Sequence, residues 1–284
     1  MKRFEIDLSS PNCPEKLRLN CVDPPKTIFG IGKQDLLETP TIGIIGARKA
    51  TPYGIKATRM FSEWSASNGY TVVSGAAIGC DQVAHRAAIE CGGKTIAVLG
   101  CGCDVSYPSS AITLLDEIRL KHLVISECPW GMRPAKWTFR LRNRIIAAIS
   151  DHLLVAEAAL PSGTFSTVDY KLNGSGQVFV VPGSIFSPTS RGCNRLLAQG
   201  AVPVCDISEL AGWLGAPITL SSHEASGSAD EDDPVRLALL AQAMRPDDLA
   251  HSLGMDIVSV ARRLSELEES GTVRRYSDGR YGPG

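Results

Sequence analysis

The stretch TIGIIGARKATPYGIKATRMFSEWSASNGYTVVSG (Thr41–Gly75) decides the fold, because it joins two apolar segments through one amphipathic segment. TIGIIG and YTVVSG are short, continuous apolar runs that end in glycine, which is typical of fully buried strands. The residues between them, about 53–68, have the spacing of a helix. A buried strand, a helix and a second buried strand predict a parallel pair with a helical crossover.

The same alternation continues along the chain. The further apolar segments, each followed by a helical pattern or a loop leading into one, are KTIAVLG (Lys94–Gly100), HLVISE (His122–Glu127), HLLVAEA (His152–Ala158) and QVFVVPG (Gln177–Gly183). We therefore predict the α/β class: a Rossmann-like, mostly parallel sheet with helices on both faces and right-handed crossovers. An antiparallel α+β domain would require alternating polar and apolar strands joined by tight hairpins, and this part of the sequence has neither.

The remaining segments divide the chain into further parts. Residues 1–40 are predicted to be an extension that packs on the sheet, with a short edge strand at Thr27–Gly30, rather than a separate helical domain. The Rossmann-like domain occupies 41–216, and 217–233, which contains SSHEASGSADEDD, is a polar, acidic linker. Residues 234–284 predict three helices and a hairpin that turns at Asp278–Gly279, which together form a winged helix domain.

Composition limits the class of protein. Hydrophobic residues make up 44% of the chain, enough for a packed core, and no apolar run is long enough to predict a membrane-spanning helix. The first residues contain no apolar core of a signal peptide, so we expect a cytoplasmic protein without membrane partners. The nine cysteines are scattered and predicted to be reduced; Cys101 and Cys103 lack the further ligands of a zinc site, so no metal is expected.

Positive charge is concentrated in RPAKWTFRLRNRIIAAIS (Arg133–Ser150), although the formal net charge of the chain is −1. This segment contains five cations, two aromatic residues and no acid. Cations interleaved with aromatic rings suit single-stranded nucleic acid, because the cations meet phosphates and the rings meet bases. A helix predicted at Leu141–Ile149 would place cations near its N-terminus, against the helix dipole, which favours an anionic ligand there.

The loops that follow the predicted strands should meet at one edge of the sheet, where open parallel sheets bind their ligands. Glycines in these loops allow close backbone approach, and helix N-termini behind them favour anions, so the edge suits phosphate. The loop residues that we expect to bind there are Arg48, Gly102, Ser162, Gly163 and Thr164. Glu157 is either a catalytic base or, preferably, the partner of one of the arginines. The spacing of histidines suggests no catalytic triad, and Gly46–Arg48 lacks the full dinucleotide-binding fingerprint, so no cofactor is expected.

Seven ordered blocks of this chain resemble the DprA/Smf family, the DNA-processing proteins of natural transformation. They are GARKATPYG (Gly46–Gly54), SGAAIGCDQVAH (Ser74–His85), KTIAVLGCGCDVSYP (Lys94–Pro108), SECPWG (Ser126–Gly131), FRLRNRIIAAIS (Phe139–Ser150), SGTFST (Ser162–Thr167) and VPGS (Val181–Ser184). The resemblance spans about residues 40–205. It departs from the family pattern at Ala47, where serine is usual, in the two cysteines of the 101–103 loop, and in the expected lack of a separate N-terminal helical domain before residue 40.

The resemblance implies a Rossmann-like domain that binds single-stranded DNA, forms a homodimer and helps to load the RecA recombinase, without catalysis. The same resemblance implies protection of incoming single strands during transformation. It places DNA contacts at Arg48, Lys136 and Phe139, and we expect Arg142, Asn143 and Arg144 to face the DNA beside them.

Two other functions remain open at this point. A nucleotide phosphoribohydrolase would use the same phosphate edge, but the segment after Pro161 lacks the double glycine and the spaced glutamate of that family. The second open function is a nucleotide sensor that uses the winged helix domain as its effector. The winged helix carries arginines that suit duplex DNA and glutamates that oppose it, so a protein-interaction role is equally compatible with its sequence.

Overall fold

The computed structural model describes residues 2–10, 13–174, 176–216, 233–276 and 278–283. The chain divides into two compact units, Met1–Thr219 and Leu220–Gly284. The predicted linker, 217–233, lies outside the described residues except for Asp233. The carboxylate of Asp233 accepts a hydrogen bond from the backbone N–H of Val235, so this residue caps a helix of the second unit.

The first unit contains a nine-stranded sheet. Its strands are β1 (Arg3–Asp7), β2 (Thr27–Gly32), β3 (Thr41–Ile45), β4 (Thr71–Ser74), β5 (Lys94–Val98), β6 (Leu123–Ser126), β7 (His152–Val155), β8 (Val178–Val180) and β9 (Val202–Pro203). Their spatial order is β1-β2-β6-β5-β4-β3-β7-β8-β9. The seven strands from β6 to β9 are parallel, whereas β2 pairs antiparallel with β6 and β1 pairs antiparallel with β2.

The helices of this unit are α1 (Glu15–Asn20), α2 (Pro52–Ser67), α3 (Cys80–Glu90), α4 (Ile112–Lys121), α5 (Lys136–Ile149), α6 (Thr164–Leu172), α7 (Arg191–Ala198) and α8 (Ile207–Leu214). Short 3-10 turns occur at Gln34–Glu38, Ser109–Ala111 and Pro188–Ser190. The predicted Rossmann-like class, with a mostly parallel sheet and helices on both faces, is confirmed.

The central strands are buried on both faces because their successive side chains enter different cores. On β3, Ile42 and Ile44 pack with Phe61 and Trp64 of α2, whereas Ile45 packs with Ile145 and other residues of α5. All of these side chains are at most 4% exposed. A strand enclosed in this way is continuously apolar, which is the pattern that the sequence shows.

The N-terminal residues add to the sheet rather than only packing against it. The predicted strand at Thr27–Gly30 is present as β2, but it is not the edge, since β1 pairs along its whole length from Arg3–Ile31 to Asp7–Thr27. Burial of Leu17 on α1 and of Leu36 and Leu37 joins this segment to the core that contains α5. The segment therefore forms one side of the folded unit.

The second unit contains α9 (Pro234–Ala241), α10 (Pro246–Leu253), α11 (Ile257–Glu269) and an antiparallel pair, β10 (Val273–Arg275) with β11 (Tyr281–Pro283). A separate core of Val235, Leu239, Leu249, Val260 and Leu264 holds these elements together. The elements follow the predicted order, and their description as a winged helix stays a prediction. No helix in the described part of the chain is long and apolar enough to cross a membrane.

Candidate nucleic-acid interface

The strand order reverses between β3 and β7, because the chain moves outward from β3 to β6 and then returns to β7 on the other side. In open α/β sheets a reversal of this kind places a crevice between the two loops at the carboxyl edge, which is the usual ligand position. The loop after β3 contains Arg48 and Lys49, both exposed, and the loop after β7 contains Ser162 and Gly163.

Glu157 joins the two sides of this crevice. Its carboxylate accepts hydrogen bonds from the backbone N–H of Thr51 at 2.8 Å and from the Thr51 hydroxyl at 2.7 Å. A Cβ on Gly54 would lie 2.3 Å from Oε2 of Glu157, so only glycine fits there. The preferred expectation that Glu157 pairs with an arginine is wrong, since the carboxylate holds the start of α2 against the end of β7.

Helix α5 begins at Lys136, not near Leu141 as predicted. Lys136 is therefore the cation of the first turn. Arg140, Arg142 and Arg144 lie further along the helix. The Thr138 hydroxyl contacts the carbonyl of Gly100 at 2.5 Å, which fixes this first turn to the end of β5. The charge of Lys136 opposes the helix dipole, and the first turn contains no acid to offset it. An anionic ligand beside Lys136 would therefore be favourable.

One face of α5 combines charge and aromatic character. Lys136, Phe139 and Asn143 follow at positions i, i+3 and i+7, so they lie along one side of the helix. Lys136 is exposed and the other two are half-buried. The Arg48 guanidinium lies 5.6 Å from the centre of the Phe139 ring, within the range of a cation–π contact. This face, with Arg48, is called the α5 surface below.

Gly100 and Tyr107 position the Phe139 ring. A Cβ on Gly100 would lie 2.9 Å from the Phe139 ring, so the absence of a side chain there lets the ring pack on the end of β5. Tyr107 lies 5.5 Å from Phe139 between ring centres and is 46% exposed. Tyr107 stands in the loop after β5, at the predicted ligand edge, but the sequence prediction did not assign it a DNA contact. Its accessible ring adds a second aromatic group to the α5 surface.

Arg142 does not face solvent, which corrects the prediction that it faces DNA. It is 4% exposed, and one terminal nitrogen donates to the carbonyls of Gly75 and Val98 at the ends of β4 and β5. Burial lowers the pKa of Arg142 and raises the pKa of the nearby Asp81 carboxyl. A Cβ on Gly75 would lie 2.0 Å from this guanidinium, so Gly75 makes room for it. Arg142 holds α5 to the sheet beneath the α5 surface.

Arg144 is buried as well, so the prediction that it faces DNA is also corrected. Its guanidinium forms a two-pronged ion pair with Glu127, at 2.9 and 2.8 Å, and its Nε donates to the carbonyl of Asp23 at 2.8 Å. The two side chains are only 5% and 12% exposed. Arg144 therefore connects α5 with the end of β6 and with the N-terminal segment.

Gly102 is a third predicted DNA contact that is buried in the structure. Its N–H donates to the carbonyl of Met132 at 2.9 Å, and its carbonyl accepts from the N–H of Val105 at 2.9 Å. A Cβ there would lie 2.7 Å from the carbonyl of Pro129. Gly102 packs the loop after β5 against the loop after β6 and has no free backbone donor for a phosphate.

The segment Ser162–Thr164 forms the start of α6 beside the α5 surface. Asn143 bridges the two helices, because its side-chain amide donates to the Ser166 hydroxyl at 2.7 Å. Gly163 is exposed, and nothing lies within 4 Å of where a Cβ would be, so the backbone is open to a ligand. Thr164 is 8% exposed, and its N–H donates to the Ser162 hydroxyl at 3.2 Å. Ser162 and Gly163 therefore reach the surface, and Thr164 supports them.

Trp130, just before the basic segment, and Trp137, within it, differ in environment. The Trp130 indole donates to Glu5 at 2.8 Å, packs edge-on against Phe29 at 5.4 Å, and lies beneath the Arg3 guanidinium. Trp130 therefore supports the loop after β6. Trp137 is 59% exposed and lies in the first turn of α5, so its ring is accessible to a ligand. No signal in the sequence distinguished these two roles, because Glu5 is far from Trp130 along the chain.

His85 is a buried titratable residue with a structural partner on one ring nitrogen. His85 has Nδ1 2.7 Å from the Thr95 hydroxyl, which itself donates to the carbonyl of Val72. The proton of the imidazole is therefore on Nδ1, and burial lowers the pKa of His85 to about 3. Among the residues that the structure describes, no three His, Cys, Asp or Glu side chains are grouped to hold a metal ion.

All nine cysteines are described and all are free thiols. Cys101 and Cys103 are buried, and each thiol lies near a backbone carbonyl, Val105 for the first and Phe29 for the second. Burial raises the pKa of Cys101 to about 11. Cys205, which follows β9, is the exposed cysteine, and Cys91 is half-buried.

The fold and site define a doubly wound α/β protein with a cationic, aromatic surface at the carboxyl edge of its sheet. The family model for DNA recombination-mediator protein A matches residues 6–214, and this chain belongs to that family.

Known proteins of the same family agree with this assignment. DNA processing protein DprA of Streptococcus pneumoniae is 41% identical over 179 residues, which cover 63% of this chain and 63% of that protein. The chain thus matches less than two thirds of that relative's length. The X-ray structure of the pneumococcal protein has a TM-score of 0.70 at 36% identity and covers 75% of this chain and 74% of that one. A second structure, described as giving insight into the single-stranded DNA binding mode of DprA from Helicobacter pylori, has a TM-score of 0.68 at 31% identity. The match covers 75% of this chain and 96% of that one.

Proposed function

We propose that this chain binds single-stranded DNA on the α5 surface and acts, without catalysis, as a recombination mediator in natural transformation. The observation that carries the proposal is the contact between Arg48 and Phe139, with Lys136 exposed beside them. It brings a phosphate-binding cation from the loop after β3 together with an aromatic ring from the helix after β6. Single-strand binding surfaces combine these two groups, because the backbone is anionic and every base has a stacking face.

The buried arginines support this proposal indirectly. The guanidinium groups of Arg142 and Arg144 donate to groups inside the protein, so these side chains fix the position of α5 instead of contacting phosphates. The exposed cations that remain at this edge include Arg48, Lys49, Lys136 and Arg140. A ligand that neutralises several such charges at once is a polyanion, and rings beside them favour unpaired bases over a closed duplex.

Lys136→Ala is expected to weaken binding of a thymidine oligomer and to reduce the salt dependence of binding. Loss of one phosphate contact lowers the magnitude of the log–log salt slope by about 0.7 on a single strand. Fluorescence anisotropy at several salt concentrations, against single-stranded and duplex probes, measures both quantities.

Lys94→Ala is the matched control, since Lys94 is an exposed lysine at the opposite edge of the sheet, where β5 begins. The control should bind as the wild type does. Equal affinities and slopes for wild type and Lys136→Ala would refute the proposed site, and tighter binding of duplex than of single strand would refute the proposed ligand.

Phe139→Ala is expected to weaken binding of the same oligomer by about 1–3 kcal/mol for each base that stacks on the ring. The salt slope should stay at the wild-type value, because the ring contacts no phosphate. Phe139→Tyr retains a stacking face and should bind nearly as tightly as wild type. A loss of affinity in Phe139→Tyr equal to that in Phe139→Ala would argue against stacking.

We further propose that a homodimer of this chain in the cytoplasm protects the bound strand and passes it to a RecA-type recombinase. The name of the matched family, a recombination mediator, supports the recombination step of this proposal. The measurement is recombinase filament formation on single strands covered by a single-strand binding protein, with Lys136→Ala as the DNA-binding variant. Light scattering of the purified chain gives its oligomeric state. No stimulation of filament formation by wild type would remove this part of the proposal and leave the DNA site in place.

A further inference from the structure

The loop between β8 and α7 presents two large apolar side chains to solvent. Ile185 is 76% exposed and Phe186 is 85% exposed, the highest value among the exposed large apolar residues of the described chain. The loop is nevertheless anchored by specific contacts. The side-chain amide of Asn194 donates to the carbonyl of Gly183 at 3.0 Å, and its oxygen accepts from the N–H of the same residue at 3.2 Å. An anchored loop that exposes a phenylalanine is suited to contact a ligand.

This loop lies at the same edge of the sheet as the α5 surface. β8 runs parallel to β7, so the loops that follow both strands leave the sheet on one side. The Tyr53 hydroxyl, in the first turn of α2, donates to the carbonyl of Pro182 at 2.6 Å, and the N–H of Gly192 donates to the carbonyl of Ala158 at 2.7 Å. Hydrogen bonds therefore join the start of α2 to the loop after β8, and the start of α7 to the loop after β7.

The strand order gives the distance that a ligand would span. β8 is two positions from β3, or about 10 Å at the usual strand spacing. It is five positions from β6, which precedes the basic loop and α5, or about 24 Å. A single strand stacked at about 3.4 Å per nucleotide covers the longer distance with roughly seven nucleotides.

The charge around the loop suits a polyanion. The sequence from Tyr170 to Cys205 contains no aspartate or glutamate, and neither does the stretch from Ala158 to Val168. Arg191 and Arg195, both exposed, lie on α7 directly after the loop. Arg191 is the first residue of α7, whose first turn has no acid, so its charge is unfavourable beside the helix dipole unless an anion binds.

We propose that the single-stranded DNA track continues from the α5 surface across the crevice to this loop, where Phe186 stacks on a base and Arg191 binds a phosphate. The inference rests on the proposed function, since it assigns a second segment to the same DNA site. Cations beside an exposed ring repeat the chemistry of Arg48 with Phe139. The absence of acids along the loop and α7 favours DNA over an apolar protein surface as the occupant.

Phe186→Ala tests the stacking contact on the full chain. With a thymidine oligomer of about 20 nucleotides, long enough to span the whole track, we expect a loss of affinity of roughly 5- to 150-fold and an unchanged salt slope. Arg191→Ala should instead lower the magnitude of the salt slope by about 0.7. Leu120→Ala is the matched control, because Leu120 is 63% exposed near the end of α4, at the opposite edge.

Three results are distinguishable. If wild type and Lys136→Ala differ while Phe186→Ala and Arg191→Ala bind as wild type does, the extended track is refuted and the proposed function stands. If Phe186→Ala changes the oligomeric state by light scattering but not the affinity for DNA, the loop contacts a second copy of the chain, which also refutes the track. If wild type itself does not bind the oligomer, the proposed function fails and this inference with it.

Discussion

Arg144→Met is expected to lower the free energy of unfolding by about 3–5 kcal/mol at neutral pH, because it leaves the Glu127 carboxylate partly buried without its partner. The same change removes the donor to the carbonyl of Asp23. Methionine keeps much of the side-chain length, so the loss reports the charge and the hydrogen bonds more than the volume. No direct phosphate contact is removed, so the salt slope of DNA binding should stay unchanged in the folded variant.

Urea unfolding followed by tryptophan fluorescence measures this effect on the first unit alone, since all four tryptophans lie within Met1–Thr219. Arg140→Met is the matched control: Arg140 is an exposed arginine on the same helix, and its replacement should change the free energy by less than about 0.5 kcal/mol.

The double variant Arg144→Met/Glu127→Gln separates charge from packing. Removing the unpaired carboxylate should restore part of the stability, so the double variant should be less destabilised than the sum of the two single changes. An Arg144→Met protein as stable as Arg140→Met would contradict the role assigned to the ion pair.

Acidification is expected to destabilise the first unit through His85, by about 2 kcal/mol between neutral pH and pH 5. The folded-state pKa of His85 is about 3, and the ordinary value is 6.5. Between these values the unfolded chain binds the proton and the folded chain does not, so stability is retained above pH 6.5 and lost as the pH falls toward 3. Burial is the main cause of the lowered pKa, and the positive charge of Arg142 adds to it.

His85→Gln removes the imidazole that binds this proton, and the glutamine side chain leaves no large cavity. The variant should be less stable than wild type at neutral pH, because the bond between Nδ1 and Thr95 is altered, but its stability should fall less on acidification. His251→Gln, at an exposed histidine of the second unit, should keep the wild-type pH dependence of tryptophan fluorescence. Identical acid dependence in His85→Gln and wild type would show that another group controls the transition.

The strands from β3 to β8 were predictable because enclosure between helices requires continuous apolar sequence, and each run ends in or beside a glycine or a polar turn. β1 and β9 were not predicted. β1 carries alternating polar residues in RFEID, and β9 has only two residues, so neither has a local pattern that separates it from a loop. The pairing of β1 with β2 depends on contacts across about twenty residues of chain, which periodicity does not encode.

The site shows a similar division. Lys136, Phe139 and Arg48 lie together at the carboxyl edge, where the loops were expected to meet, and the isoleucines 145, 146 and 149 anchor α5 in the core. Arg142 and Arg144 were assigned to DNA because the helix was predicted to begin near Leu141, which would place both cations in its first turn, where an anionic ligand is favoured. Their partners, among them the carbonyls of Gly75 and Val98 and the carboxylate of Glu127, come from different strands and are brought together only by the fold.

The exposed thiol of Cys205 is a native site at which a fluorescent dye can be attached. β9 is parallel to β8 and its neighbour in the sheet, so Cys205 leaves the sheet at the same edge as the loop that carries Phe186. Burial and the neighbouring Glu209 raise the pKa of this thiol, so conjugation to a maleimide dye proceeds best at mildly alkaline pH. Most of the other thiols are enclosed, so a dye attached there would register an arriving DNA strand as a change in its fluorescence, without any engineered cysteine.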